Sequence, residues 1–232
     1  MRKQIGILLS LLMILICAAA LADVAIDETN FPDAVFREYV RQFDTDQNGD
    51  LSSEERKKVN SISIGFQKLS DLKGIEHFPS LIRLSCAQNR LTALDVSHNL
   101  SLKEIYCWDN RLESLIIGNN PVLTDLECNE NLLTSLDLSG CPGLLDFRCN
   151  KNKLKSLNLA ANTKLSWLEC VSNQLTSLDL SMCPNLRHIQ ISANQIQSLN
   201  IISQPVLEYL ECTSNRISEL DLTGCSNLKT LK

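Results

Sequence analysis

Apolar residues along this chain fall into a strict period. Leucines stand at 81, 102, 123, 144, 165, 186, 207 and 228, each 21 residues from the next, and each opens a segment reading L-x-x-[LIF]-x-[CI]-x-x-N-x-[LI]-x-x-L-x-[LIV]. The pattern makes seven full repeats and the start of an eighth. Its first, fourth and sixth positions give the alternation of a short strand with one side facing inward. The eleventh, fourteenth and sixteenth, such as Leu133, Leu136 and Leu138, predict a return leg that also packs inward. A single repeat cannot bury its apolar face alone, so neighbours must stack into a solenoid with a continuous core.

The ninth position is Asn in all seven repeats, from Asn89 to Asn215. A chain that leaves a strand and turns inside a solenoid strips backbone groups of their ladder partners. An inward Asn amide offers both a donor and an acceptor to replace them. A stacked Asn ladder is expected.

Cysteine fills the sixth position at 86, 107, 128, 149, 170 and 212, and Ile191 is the one replacement, which marks the column as interior. Cys141, Cys183 and Cys225 share position 19 with Asn or Gln. Exported chains rich in cysteine ordinarily form disulfides. Here, however, parallel in-register side chains on rungs roughly 4.8 Å apart point the same way, and position-19 cysteines lie two rungs apart. The expectation is a reduced ladder of small hydrophobes. Zinc is the weaker alternative, because paired C-x-x-C knuckles are missing.

This pattern resembles leucine-rich repeats, and its length and strand cysteines resemble internalin-type bacterial proteins, the internalin J type especially. The likeness covers residues 81 to 232. It implies an α+β chain: a right-handed leucine-rich-repeat β-solenoid with a parallel concave sheet, behind a small helical EF-hand-like cap. Residues 72 to 81 read as a half repeat at the seam, which gives a cap over 23–80 and repeats over 81–232. The sequence stops inside the strand of repeat eight without a polar capping unit. A fragment of a longer protein is expected, with a last repeat that frays or dimerises as the alternative.

At the other end, Arg2 and Lys3 precede an apolar run from Ile5 to Ile16, and Ala20 and Ala22 form an A-x-A cleavage pattern. Residues 1–22 read as a signal peptide, with a retained or Cys17-lipidated anchor as the alternative. No later stretch is long enough to span a bilayer. Export, to the medium or the cell surface, without later membrane insertion follows. Loss of the leader leaves 20 basic against 27 acidic residues, a net charge of −7, spread without a basic block. Nucleic acid is thereby disfavoured as a partner, and the chain is expected to be a monomer.

Residues 44 to 55 read D-T-D-Q-N-G-D-L-S-S-E-E and satisfy the calcium-loop spacing D-x-[DN]-x-[DN]-G-x5-E. Calcium needs six to eight hard oxygens converging on one point. Asp44, Asp46 and Asn48 would supply side chains, Asp50 its carbonyl, Ser52 a side chain or bridging water, and Glu55 two oxygens. Gly49 permits the turn and Leu51 packs beneath it. Upstream, Asn30 to Asp33 reads as a helix start with Pro32 in the first turn. Val35, Phe36, Tyr39, Val40 and Phe43 then form one apolar face. Ser52 to Asn60 can form the exiting helix. A lone hand should bind in the range of about 10⁻⁴ to 10⁻³ M and order the cap. The alternative is an acidic loop without its ion, which the resemblance implies for internalin caps.

Positions 3, 5 and 7 of each repeat should project onto the concave surface, with equal positions becoming neighbours. Position 3 runs Arg83, Glu104, Asp125, Asp146, Trp167, His188, Tyr209; position 5 includes Tyr106, Glu127, Arg148 and Glu169; position 7 includes Trp108. Trp167, His188 and Tyr209 would form an aromatic stripe. Tyr106 and Trp108 would form a second patch, with acidic Glu104, Asp125 and Asp146 between them. Exposed aromatics are enriched where partners dock, and the resemblance implies a concave face that holds proteins or glycans. The blander alternative is decoration, with Arg148 pairing Glu127 and Glu169.

No P-loop, G-x-S-x-G, H-E-x-x-H or dinucleotide fingerprint occurs. His77, His98 and His188 have no evident nucleophile partner. The expectation is a binding or adhesion module and not an enzyme. Two readings stay beside it: a structural calcium-binding surface protein, or the non-catalytic part of a longer secreted hydrolase.

Overall fold

The computed structural model describes residues 22–232, so the signal-peptide reading falls, but for Ala22, outside the described residues. The dominant element is a nine-stranded parallel sheet whose strands follow the 21-residue period. Residues three to five of each repeat pair in register, as in Glu104–Tyr106 with Asp125–Glu127 and Trp167–Glu169 with His188–Gln190. The sheet begins one rung ahead of the first full repeat, at Ser61–Ser63, which pairs with Arg83–Ser85. It ends at Thr230–Leu231. On the return leg Ala93–Asp95 pairs with Ser114–Ile116, and Ser177–Asp179 with Ser198–Asn200, in two short parallel ribbons.

Alternation along each strand decides which side chains go inside. Middle residues such as Ile105, Leu126, Phe147 and Leu168 are fully buried, as are Leu81, Leu102, Leu123 and Leu144 at the first position. The sixth-position cysteines 86, 107, 128, 149 and 170 lie wholly inside, Cys212 partly so, and the nine described cysteines are all free. Burial pushes the Cys107 thiol up to about 12, so these sulfurs behave as small apolar groups.

The Asn ladder forms as expected. Asn131 Oδ1 accepts from Leu112 N at 2.9 Å, while its Nδ2 donates to Cys107 O at 3.0 Å and Cys128 O at 3.2 Å. Asn110, Asn152, Asn173 and Asn194 repeat the arrangement. The residue before each Asn adopts a left-handed backbone, from Gln88 (φ 55°) through Lys151 (53°) to Ser214 (54°), although none of the seven is glycine. That turn swings the amide inward. At position 19, Asn99, Asn120, Asn162 and Gln204 form a second buried file whose amide nitrogens bond to backbone carbonyls, such as Asn162 Nδ2 to Cys141 O at 2.9 Å.

The cap packs on the first rungs through Phe31, Phe36, Val40 and Leu51, all fully buried. Its first helix spans Ala34–Val40, shorter than its apolar pattern suggests. Asp33 is the N-cap, accepting from Val35 N and Phe36 N, which places Pro32 ahead of the helix and not in its first turn. Val35 points outward, 39% exposed, while Tyr39 and Phe43 lie partly buried against the core. The second helix is Ser53–Lys58 and stops two residues before Asn60. Among the described residues no helix is long and apolar enough to cross a membrane.

Candidate functional site

Because the rungs pair without slippage, position 3 becomes a file of adjacent side chains on the concave face. The Trp167 and His188 rings lie 3.7 Å apart at 5°, and His188 and Tyr209 lie 4.5 Å apart at 1°. Cations close both ends of this stack: the Arg148 guanidinium sits 5.5 Å from the Trp167 ring and Lys232 Nζ 5.3 Å from Tyr209. Position-5 carboxylates hold the ring edges. Trp167 Nε1 donates to Glu169 Oε1 at 2.6 Å, and the Tyr209 hydroxyl donates to Glu211. His188 Nε2 is buried without a hydrogen-bond partner among the described residues, and burial lowers the imidazole pKa.

Tyr106 and Trp108 stand three rungs toward the cap. Arg83 lies 5.0 Å over the Tyr106 ring, whose hydroxyl donates to Glu104 at 3.1 Å. Burial, reinforced by that bond, pushes the Tyr106 hydroxyl up to about 12. Trp108 meets Phe66 edge to face, with centroids 6.5 Å apart. Asp125 and Asp146 lie between the aromatic groups, whereas Glu104, expected there too, shares the strand of Tyr106. Arg148 bridges Asp146 at 2.8 Å, Glu127 at 3.2 Å and Glu169 at 3.7 Å. Burial raises the Glu127 and Asp146 pKa values, Arg148 opposes the rise, and the neighbouring carboxylates add to it.

Seven of the eight residues expected on this face therefore lie on strands of one sheet, and Trp108 follows two residues after the Glu104–Tyr106 strand. The pairing of Arg148 with Glu127 and Glu169 also occurs, so decoration and stack coexist. Sequence reasoning missed Phe66, 72% exposed, because it precedes the repeats and belongs to no column. It also missed Glu169 and Glu211 as holders of the rings. Their signal was an acid two residues after an aromatic, which alternation places on the same face.

In the cap, carboxylate oxygens of Asp44, Asp46 and Glu55 gather within 4.8 Å of one another. Asp44 accepts from Gly49 N at 2.9 Å, Asp46 from Asn48 N at 3.2 Å, and Asn48 Oδ1 from Asp50 N at 2.8 Å. Gly49 takes the turn at φ 91°. Leu51 and Asp50 pair antiparallel with Val24 and Ala25, which ties the loop to an N-terminal strand. Ser52 and Glu55 engage each other in a capping box at the second helix. Glu55 Oε1 accepts from Thr45 N at 2.6 Å and Oγ1 at 2.7 Å; Oε2 accepts from Ser52 N at 2.9 Å and Oγ at 2.8 Å. These bonds, led by the Thr45 hydroxyl, hold its pKa down to about 2. The donor set suits a hard cation in chemistry. With four hydrogen bonds on Glu55, two-oxygen capture requires the Thr45 and Ser52 hydroxyls to turn aside.

No protein-family model matches the chain, and neither does any curated protein. Solved structures do. The functional domain of InlJ from Listeria monocytogenes, described as including a cysteine ladder, is 31% identical with a TM-score of 0.81 over 91% of this chain and 47% of that one. Listeria monocytogenes InlP aligns at 20% identity and TM-score 0.71, covering 90% of this chain and 65% of its own. A leucine-rich-repeat protein of Leptospira interrogans aligns at 24% identity and TM-score 0.64, covering 69% and 45%. The chain thus spans about half the length of the InlJ domain. Its file of strand cysteines matches the cysteine ladder of that domain. The chain has the leucine-rich-repeat fold of these proteins and, with its file of strand cysteines, is similar to the cysteine-ladder domain of InlJ.

Proposed function

We propose that this chain is a non-catalytic binding or adhesion module, exported to the cell surface or medium, that takes a protein or glycan ligand on its concave face. The observation that carries the reading is the Trp167–His188–Tyr209 stack, set by strand register on the same face as Tyr106 and Trp108. Large rigid aromatics clustered on an open surface supply contact area at low entropic cost. His188 supports the non-catalytic reading, because its ring is sandwiched between two others and faces no nucleophile. Affinity capture from host-cell and bacterial surface extracts tests the proposal, with residues 23 to 232 as bait beside a Trp167→Ser/Tyr209→Ser variant. A partner retained by the parent and lost by the variant supports it; equal capture by both defeats it.

We propose further that the loop from Asp44 to Glu55 binds calcium in a structural role. Three converging carboxylates next to the cap core favour this reading. Calcium should raise the melting temperature, and an unchanged temperature in saturating calcium would remove the role.

A further inference from the structure

We infer that the concave face is occupied by a basic segment of a protein partner, with a lysine or arginine side chain seated at Asp125; this rests on the binding reading above and names the class of ligand. Two observations converge on it.

The first concerns what the aromatic stack can offer. A sugar ring is gripped by laying it flat on an exposed aromatic face. Trp167, His188 and Tyr209 spend their faces on one another, and Arg148 and Lys232 cover the outer two. Only ring edges remain for a ligand, and these form a narrow ridge suited to packing against protein side chains.

The second concerns charge. Positions 3 and 5 of the repeats carry six carboxylates against three cations, Arg83, Arg148 and Lys232. Arg148 alone serves Glu127, Asp146 and Glu169, while Arg83 pairs with Glu104 and Lys232 with Glu211. Among the described residues, the Asp125 carboxylate has neither a salt bridge nor a hydrogen bond within the protein. Its neighbours on both adjacent rungs, Glu104 and Asp146, are also acids. Like charges directly across a ladder repel. A cation arriving at Asp125 relieves both contacts at once. Tyr106, in register with Glu127, offers an apolar shelf for the methylene stem of the incoming side chain.

Selection of short random peptides displayed on phage against the purified protein tests the inference. The parent should enrich peptides in lysine and arginine over the starting library. The enriched peptides should bind the isosteric Asp125→Asn/Glu127→Gln variant about tenfold more weakly. Both variants are first matched to the parent by circular dichroism and melting temperature. A pool without basic enrichment that is nonetheless lost on Trp167→Ser/Tyr209→Ser overturns the basic partner and leaves the binding face standing. A basic pool indifferent to both variants binds elsewhere and overturns both readings. Glycan-array binding that the aromatic variant abolishes and the Asp125/Glu127 variant spares also overturns the inference.

Discussion

Replacing Asn131 by alanine separates two ways of valuing the Asn ladder. Counting bonds would assign a heavy cost, because the Asn131 side chain makes four within the protein. The network is redundant on one side, however. Cys107 O also accepts from Asn110 Nδ2 at 3.1 Å and Cys128 O from Asn152 Nδ2 at 2.9 Å, so both buried carbonyls keep a partner. Asn129 O also keeps a donor, the Asp109 N–H at 3.0 Å. What is orphaned is the Leu112 N–H, beside a fully buried side chain. Leaving one buried donor unpaired costs about 1–3 kcal/mol. In a chain of this length that lowers the melting temperature by roughly 2–12 °C.

Asn131→Asp sharpens the comparison. The carboxylate still accepts from Leu112, but it turns acceptors toward the carbonyls of Cys107 and Cys128 and buries a charge. It should therefore be worse than alanine at neutral pH and recover as the pH falls and the acid protonates. Urea and thermal midpoints for parent, Asn131→Ala, Asn131→Asp and the exposed control Ser135→Ala measure this. The reasoning is refuted if Asn131→Ala behaves like Ser135→Ala, or if Asn131→Asp is the milder substitution at neutral pH.

Three further outcomes are expected. The Glu55 pKa lies near 2 in the fold against an ordinary 4.5, so the unfolded chain binds that proton more tightly. Its contribution is present above 4.5 and drains away as the pH falls toward 2. The stability gap between parent and Glu55→Gln should therefore close across that window, and parallel curves would contradict the capping role. Position 8 stores left-handed strain, so Ala193→Asn at φ 55° should stabilise by about 0.5–1 kcal/mol and Ala193→Val should destabilise, both read from urea midpoints. Finally, thiol titration of unfolded protein without reductant should find the nine described cysteines free, and a count of few thiols would replace the ladder with disulfides.

Columns were legible in the sequence because a solenoid converts repetition into adjacency. Once Leu81 and its successors set the period, Trp167, His188 and Tyr209 had to be neighbours. The cysteine file had to be interior, because Ile191 occupies one of its places. Features outside the period were not legible. Phe66 reaches Trp108 from a segment with no repeat partner, and the rung at Ser61–Ser63 sits 22 residues before Arg83, off the 21-residue beat. Val35 matched the helical spacing of Phe36, Tyr39 and Val40, yet a seven-residue helix on a curved core buries a narrower stripe than that spacing suggests. In the calcium loop the spacing revealed the donors. It did not reveal that Ser52 and Thr45 bond to Glu55, because a capping box and a ligand set use the same residue types at the same separation.

The dissociation constant of a captured surface partner, measured for the parent and for Trp167→Ser/Tyr209→Ser at matched melting temperature, tests the binding face most directly. Loss of two central aromatics should weaken binding by about a hundredfold or more while leaving the fold intact. Equal affinity for parent and variant would show that the stack only covers its own strands and that recognition lies elsewhere.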